Sequence, residues 1–286
     1  MAGRVETGGA GGEALDAAGR LPASRLARLY LRHERALVGA GALVAVLLLW
    51  EGLSRGGLVS PVFISAPSRV ALAAYRLAAS GELWRHLRIS GFELLSGYLL
   101  AAAVGVPLGL AIGWYRRLHW CLAPFVYAFN AVPRVAFLPV LIIWFGIGIW
   151  SKVAVVFLGA VVPIVLHTLA GVRTTDARLL RVARSFGASD FKLFRSVVLP
   201  GTVPFVFTGL KYASGRALLS VVVGELYAAT SGGIGHLIAT AGQTLQTDKV
   251  FVGVLVVTLT GVALVELLDR LERRFDAWRP QVGSSG

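Results

Sequence analysis

The 286 residues contain one cysteine, Cys121, and one methionine. A lone thiol forms no intrachain disulfide and no multi-cysteine zinc site. Cys121 falls where a helix is predicted to start and reads as packing. Charge is scarce as well: 15% of residues are Asp, Glu, Lys or Arg, where a soluble domain carries about 25%. Catalytic signatures are missing. There is no His-Glu-x-x-His, no Gly-x-Ser-x-Gly and no Cys-x-x-Cys, and no lysine directly follows a glycine, which excludes a Walker A phosphate loop. The five histidines are dispersed, mostly near the ends of apolar runs. The sequence therefore points to no catalytic residues, no metal and no cofactor bound by this chain. If the protein does work driven by ATP, another chain must hydrolyse it. No internal repeat is visible.

What abounds is apolar length. Hydrophobic residues make up 56% of the chain and mean hydropathy is +0.72. Several runs approach or exceed the roughly 18 to 20 residues that cross a bilayer. The fold class is all-α, a polytopic transmembrane helical bundle of about six spans. The net charge is +13, and 24 of the 28 basic residues are arginine. In a membrane protein such residues anchor cytoplasmic loops and meet anionic lipid, so no nucleic-acid partner is expected. The first apolar run is followed by Trp50 and Glu51 rather than by a small-residue cleavage site, so it reads as a span and not as a cleavable signal. Residues 1–20 lack apolar periodicity and read as disordered. The predicted organisation is a cytoplasmic segment 1–35, a membrane domain 36–272 and a cytoplasmic tail 273–286.

The predicted spans are about Ala36–Leu53, Ile89–Trp114, Leu122–Ile149, Val153–Val172, Val203–Ala229 and Val250–Leu268. The first reaches about 27 Å at 1.5 Å per residue. The third is interrupted by Pro124, Pro133 and Pro139, and the fourth contains Pro163. Ahead of the second span, SAPSRVALAAYRLAASGELWRHL reads as a broken amphipathic helix on the membrane surface or against the bundle. Ser65 or Ser68 is its predicted cap, Ser80-Gly81 its interruption, and Val70, Ala73, Ala74 and Leu77 its apolar face. With the N-terminus inside, eighteen basic residues fall on cytoplasmic segments and seven, including Lys152, on external ones. That bias places both termini in the cytoplasm.

Several features bear on function. Gly97, Ala101, Gly105, Gly109 and Gly113 recur every four residues along the second span. Such a stripe lets another helix approach closely, for packing or for a contact that slides during a cycle. Pro133 and Pro139 each remove a backbone donor, so the third span is expected to kink or unwind. Arg134, beside that break, suits a structural ion pair or a transport pathway. Lys211, Arg216 and Glu225 lie in the fifth span. Arg216 and Glu225 fall on opposite faces, and Lys211 and Glu225 sit about 21 Å apart along the axis. Each therefore needs a partner elsewhere, and Lys211 and Glu225 also suit the two interfaces. Glu93 is a candidate partner for Arg134 or Arg216. We expect a translocation pathway drawing on Arg134, Lys211, Arg216 and Glu225.

Between the fourth and fifth spans lies a polar, basic segment, about 175–200, ending RVARSFGASDFKLFRSVVLP. Thr175 or Asp176 can cap a helix whose apolar stripe is Leu179, Val182, Ala183 and Phe186. Arg178, Arg181 and Arg184 form a basic stripe. Gly187 ends or bends that helix, and Ser189 can cap a second one carrying Phe191, Phe194 and Val197. Two short amphipathic helices joined at a glycine make a compact knob, either a docking element for a soluble partner or a plain interfacial loop.

This segment resembles the "EAA" signature of permease subunits of bacterial ABC importers: Glu-Ala-Ala, three residues, Gly, nine residues, an aliphatic residue, any residue, Leu-Pro. Here Gly187 is followed by nine residues and then by Val197, Val198, Leu199 and Pro200. Ala183 matches the second alanine, Val182 replaces the first, and Arg181 stands where the family usually has glutamate. The resemblance extends from about Ile64 to Trp278. ISAPSRVALAAYRLAASGELWRHL, VPRVAFLPVLIIWFGIG and TGLKYASGRALLSVVVGEL look like the branch holding taurine, alkanesulfonate, nitrate, bicarbonate and thiamine-precursor permeases. Glu93 departs from that branch, which often has arginine there.

The resemblance implies a type I ABC importer-like bundle in the bacterial inner membrane. Its partners would be a second permease copy, a cytoplasmic ABC ATPase dimer that carries the ATP and magnesium, an extracytoplasmic substrate-binding protein, and membrane lipid. Arg181, Ala183, Arg184, Phe186, Gly187, Ala188, Ser189 and Asp190 would form the coupling helix seated on the ATPase. The implied cargo is a small anion such as a sulfonate, taurine, nitrate or bicarbonate, or alternatively a thiamine precursor. A reading of another class is an ATP-independent channel or secondary transporter, to which Arg134 and the proline breaks are also suited.

Overall fold

A computed structural model describes residues 25–57, 60, 63–227 and 232–275, with the backbone alone for 25–36. The predicted disorder of residues 1–20 and most of the predicted tail lie outside the described residues. The chain divides into two units, residues 1–60 and 61–286, each described by itself.

The first unit holds one helix, α1 (Arg25–Arg55). Its apolar part, Leu37–Arg55, is long enough to cross a bilayer. The helix starts well before the predicted span because the Arg- and Leu-rich stretch ahead of it is itself a good helix former.

The second unit opens with α2 (Pro67–Ala79). Neither Ser65 nor Ser68 caps it. The capping position is Ala66, and Pro67 occupies the first turn, where its preset φ suits the helix and its missing N–H costs nothing. Val70, Ala73 and Leu77 are buried as predicted, packed with Leu237 and Val252. Gly81 breaks the helix in a left-handed conformation, φ 79°. The residues after it do not continue a surface helix. They are the first turns of α3 (Glu82–Trp114), which runs unbroken through Pro107.

The predicted third span is two arms. The helix α4 (Arg116–Ala131) ends at Val132-Pro133, a short 3₁₀ turn follows at Arg134–Phe137, and α5 (Leu138–Phe145) leaves at 93° to α4. Only Pro133 breaks the chain. Pro124 sits inside α4, and Pro139 starts α5 rather than ending a helix. Cys121 is exposed within α4 and packs into no core. Next come α6 (Ile149–Arg173), a short helix α7 (Ala177–Ser185), and α8 (Asp190–Leu193). The last passes through a π turn, Phe194–Val198, into α9 (Leu199–Tyr227). A ten-residue helix, α10 (Ile234–Gln243), and a final long one, α11 (Thr247–Arg273), complete the described chain. Among the described residues five helices are long and apolar enough to cross a membrane, or six spans if the bent α4–α5 pair counts as one. No strand occurs among the described residues.

The core is α6, held between α3 and α9. The predicted small-residue stripe explains its tightness. A Cβ on Gly97 would stand 2.7 Å from the Val153 carbonyl and from Val156, and one on Gly109 would stand 2.7 Å from Thr168. Gly105 faces Ile164 and Gly113 faces Val172 in the same way. These partners differ by a constant 59 in residue number (97 and 156, 105 and 164, 109 and 168, 113 and 172), so α3 and α6 run parallel in one fixed register. On the other side α9 runs antiparallel to α6: Gly171 meets Thr202 and Phe205, Gly209 meets His167, and Gly224 meets Val155. With no difference in hydrophobicity between lipid and a neighbouring apolar helix, such close backbone approach is what holds membrane helices together.

Candidate functional site

The segment between α6 and α9 is built by local rules. Asp176 caps α7 by accepting a hydrogen bond from the Arg178 N–H at 2.7 Å, and Ser189 caps α8. At the far end of α7, the Gly187 N–H donates to the Arg184 carbonyl and the Ala188 N–H to the Ala183 carbonyl. With Gly187 at φ 76°, this is a complete Schellman turn, a backbone shape that glycine adopts without steric cost. Arg184 and Asp190 pair across the turn at 3.4 Å. Leu193 and Val198 are buried, and Phe194 lies against Trp114 with ring centroids 5.4 Å apart, which fixes the knob to the bundle.

Arg181, Ala183, Arg184, Phe186, Gly187, Ala188, Ser189 and Asp190 thus come together in one knob at one end of the bundle. Among the described residues nothing covers its apolar stripe. Leu179, Val182 and Phe186 are 56%, 55% and 86% exposed, and no α7 side chain is buried.

The second feature is a cavity of about 410 Å³ at the broken span, lined by residues 130–135 with Gly159, Arg216, Leu219 and Ser220. It brings Arg134 and Arg216 together. Arg134 is 7% exposed, and its Nη2 donates to the carbonyls of Asn130 (2.9 Å) and Phe129 (3.5 Å) and to Asn130 Oδ1 (2.7 Å). It therefore helps to cap the end of α4 where Pro133 stops it, at the Asn130 carbonyl and beside the Val132 N–H on that of Phe129. Arg216 donates to the Tyr212 hydroxyl at 2.9 Å. The two other predicted pathway residues lie elsewhere. Lys211 is paired with Asp269 and Glu272 on α11, and Glu225 sits at the end of α9 away from the knob.

The family described as "Binding-protein-dependent transport system inner membrane component" matches residues 105–278. The chain belongs to this family. It is a multi-pass inner-membrane permease subunit of an ABC importer. The permease is 31% identical over 268 residues to the taurine transport system permease protein TauC of Escherichia coli, covering 92% of this chain and 97% of the relative. It is 36% identical over 237 residues to the putative aliphatic sulfonates transport permease protein SsuC of the same organism, covering 83% and 90%. Among solved structures, a chain of the MetNI methionine ABC transporter in inward-facing form superposes with a TM-score of 0.52 at 20% identity, covering 68% of this permease and 95% of that chain. That last likeness concerns the fold.

One polar cluster in the permease was not foreseen. Glu93 pairs with Lys152, not with Arg134 or Arg216. Lys152 lies in α6, not in an external loop, and is 1% exposed; Glu93 is 0% and Glu225 1% exposed. Glu225 accepts from Ser90 Oγ (2.5 Å) and from the Gly235 N–H (2.6 Å). Ser90 accepts from the Ile234 N–H (2.7 Å), and His86 Nδ1 from the Gly233 N–H (3.0 Å). These bonds satisfy the open N–H groups at the start of α10 and tie it to α3 and α9. A signal for the pairing was present. Glu93 extends the glycine stripe by one step, four residues before Gly97, and adding the 59-residue register leads to Lys152.

Proposed function

We propose that this permease imports a small sulfonate, together with a cytoplasmic ABC ATPase dimer, an extracytoplasmic binding protein and a second permease copy. The observation that carries the coupling half is the uncovered stripe of Leu179, Val182 and Phe186 on a rigid, capped knob. A plain interfacial loop has no need of a Schellman turn, two caps and a cross-turn ion pair. Seated in an ATPase groove, such a knob passes rigid-body motion to the packed α3–α6–α9 core. Adenine nucleotide and magnesium then act on the partner, and Arg181 meets a carboxylate there.

The knob end of the bundle faces the cytoplasm in this reading. Trp114, Arg173, Leu199 and Arg273 end or begin their helices on that side, and Arg116, Arg117, Arg173, Arg178, Arg181, Arg184, Lys192, Arg195, Arg270 and Arg273 gather near it. That is the side where basic residues accumulate. Both termini are then inside if the bent pair counts as one span. Sulfonate as cargo draws support from the TauC and SsuC likeness and from a cavity that carries two arginines. The pathway runs past Arg134 and Arg216, while Lys211 and Glu225 hold the architecture.

The test is co-purification with the ATPase in mild detergent, followed by ATP-dependent sulfonate uptake in proteoliposomes. Phe186→Ala should fold and insert as the wild type does, since Phe186 is 86% exposed, yet fail to retain the ATPase. Arg181→Glu should weaken the same assembly. Undiminished assembly of both variants overturns the coupling assignment, and uptake that persists without any ATPase favours a channel or secondary transporter.

A further inference from the structure

We infer that Arg134 and Arg216 form an anion-binding subsite inside the membrane, which holds the sulfonate group of the solute in transit. The inference rests on the import reading and adds to it that this chain selects charge by itself, apart from any binding protein.

Four observations converge. First, both guanidinium groups line one cavity of about 410 Å³. Second, neither is neutralised: among the described residues no carboxylate lies in ion-pair reach of Arg134 or Arg216. By contrast, Lys152 and Lys211, the lysines of α6 and α9, do have acidic partners. Third, the Arg134 Nε–H is buried and has no hydrogen-bond partner, although the same side chain is pinned by three bonds from Nη2. A buried donor left open in a side chain already fixed in place calls for an acceptor. Fourth, the negative end of the broken helix is masked. Arg134 Nη2 occupies the Phe129 and Asn130 carbonyls, which would otherwise repel an anion at this position.

The chemistry selects the ligand class. An intramembrane arginine is costly unless something opposes its charge. A guanidinium fork matches two oxygens of one oxyanion, which a point-charge ammonium does not do as well. The Ser220 side chain lines the same cavity, and its hydroxyl suits the third oxygen of a sulfonate. The depth argues against a lipid phosphate as the occupant. Arg216 stands eleven residues from the nearer end of α9, about 17 Å along the axis, well below headgroup level in a hydrocarbon layer about 30 Å thick.

The experiment is direct titration of butanesulfonate, with butanesulfonamide as the neutral isostere, into the permease–ATPase complex in nanodiscs without binding protein. ATP-dependent uptake is measured in parallel with binding protein present. We expect the sulfonate to bind and the sulfonamide not to. Arg216→Gln should weaken sulfonate binding at least tenfold with thermal stability unchanged, because among the described residues Arg216 bonds to Tyr212 alone. Arg134→Lys, which keeps the charge and loses the open Nε–H, should weaken it as well, and it guards against Arg134→Gln failing to fold for want of its cap. Equal binding of sulfonate and sulfonamide, or binding unmoved by Arg216→Gln, overturns the subsite. Uptake by a wild type that shows no direct binding overturns it too and leaves the import reading intact. Binding that behaves as expected, with no ATP-dependent uptake of any sulfonate, supports the subsite and overturns the import reading.

Discussion

Two groups of charge within the apolar helices of the same bundle are treated in opposite ways. At the end away from the knob, buried Glu93 is charge-paired with Lys152, and buried Glu225 accepts from Ser90 and the Gly235 N–H, with His86 and the first amides of α10 drawn in. At the broken span, buried Arg134 and exposed Arg216 share a cavity, and among the described residues no acid lies beside them. A place within an apolar helix alone therefore does not mark a functional charge. A compensated cluster is an architectural tie, and its cost was met when the bundle folded. An uncompensated pair keeps an open requirement for an anion.

The strongest way to break this contrast is Lys152→Met. It strands Glu93 in a site with 0% exposure, and removing one partner of a buried pair costs about 3–5 kcal/mol. Thermal unfolding in detergent should show the loss, and Glu93→Met added to Lys152→Met should restore most of it. If Arg216→Gln destabilises the bundle comparably, the two groups are not different in kind. Next in size is Phe186→Ala. Loss of an aromatic anchor at an interface centre costs about 2 kcal/mol, roughly thirtyfold in ATPase affinity, with no change in the permease's own unfolding. Arg216→Gln follows, with its tenfold loss of sulfonate binding, equivalent to about 1.4 kcal/mol. The smallest effect is expected from Asp176→Ala. It removes the α7 cap at a cost of about 1 kcal/mol, visible as roughly fivefold faster hydrogen exchange in α7 and only a modest weakening of ATPase retention.

Local features were legible wherever a short-range rule governs them. The knob is the clearest instance. Asp176, Gly187 and Ser189 act within their own turns, so cap, stop and cap could be read along the line of the chain. The break at Pro133 was legible for the same reason. The rest of the broken span was not, because the consequence of a proline depends on its place in the helix. Pro124 and Pro163 are accommodated inside helices and Pro139 begins one. The bend of 93° comes from how the two arms pack.

The same division applies to the charges. That Arg134, Lys211, Arg216 and Glu225 lie within apolar runs, and that Glu93 recurs in step with a stripe of glycines, is determined by the sequence, because hydropathy and helical period are properties of consecutive residues. Which charge meets which was decided by tertiary structure. The offset of 59 between α3 and α6 brings Lys152 to Glu93, Lys211 reaches acids on α11, and Arg134 turns onto the carbonyls of its own broken helix instead of a carboxylate. Interhelical register arises from backbones settling into close contact over their full length. No single residue carries it, so the partner of a buried charge appears only once the helices are packed.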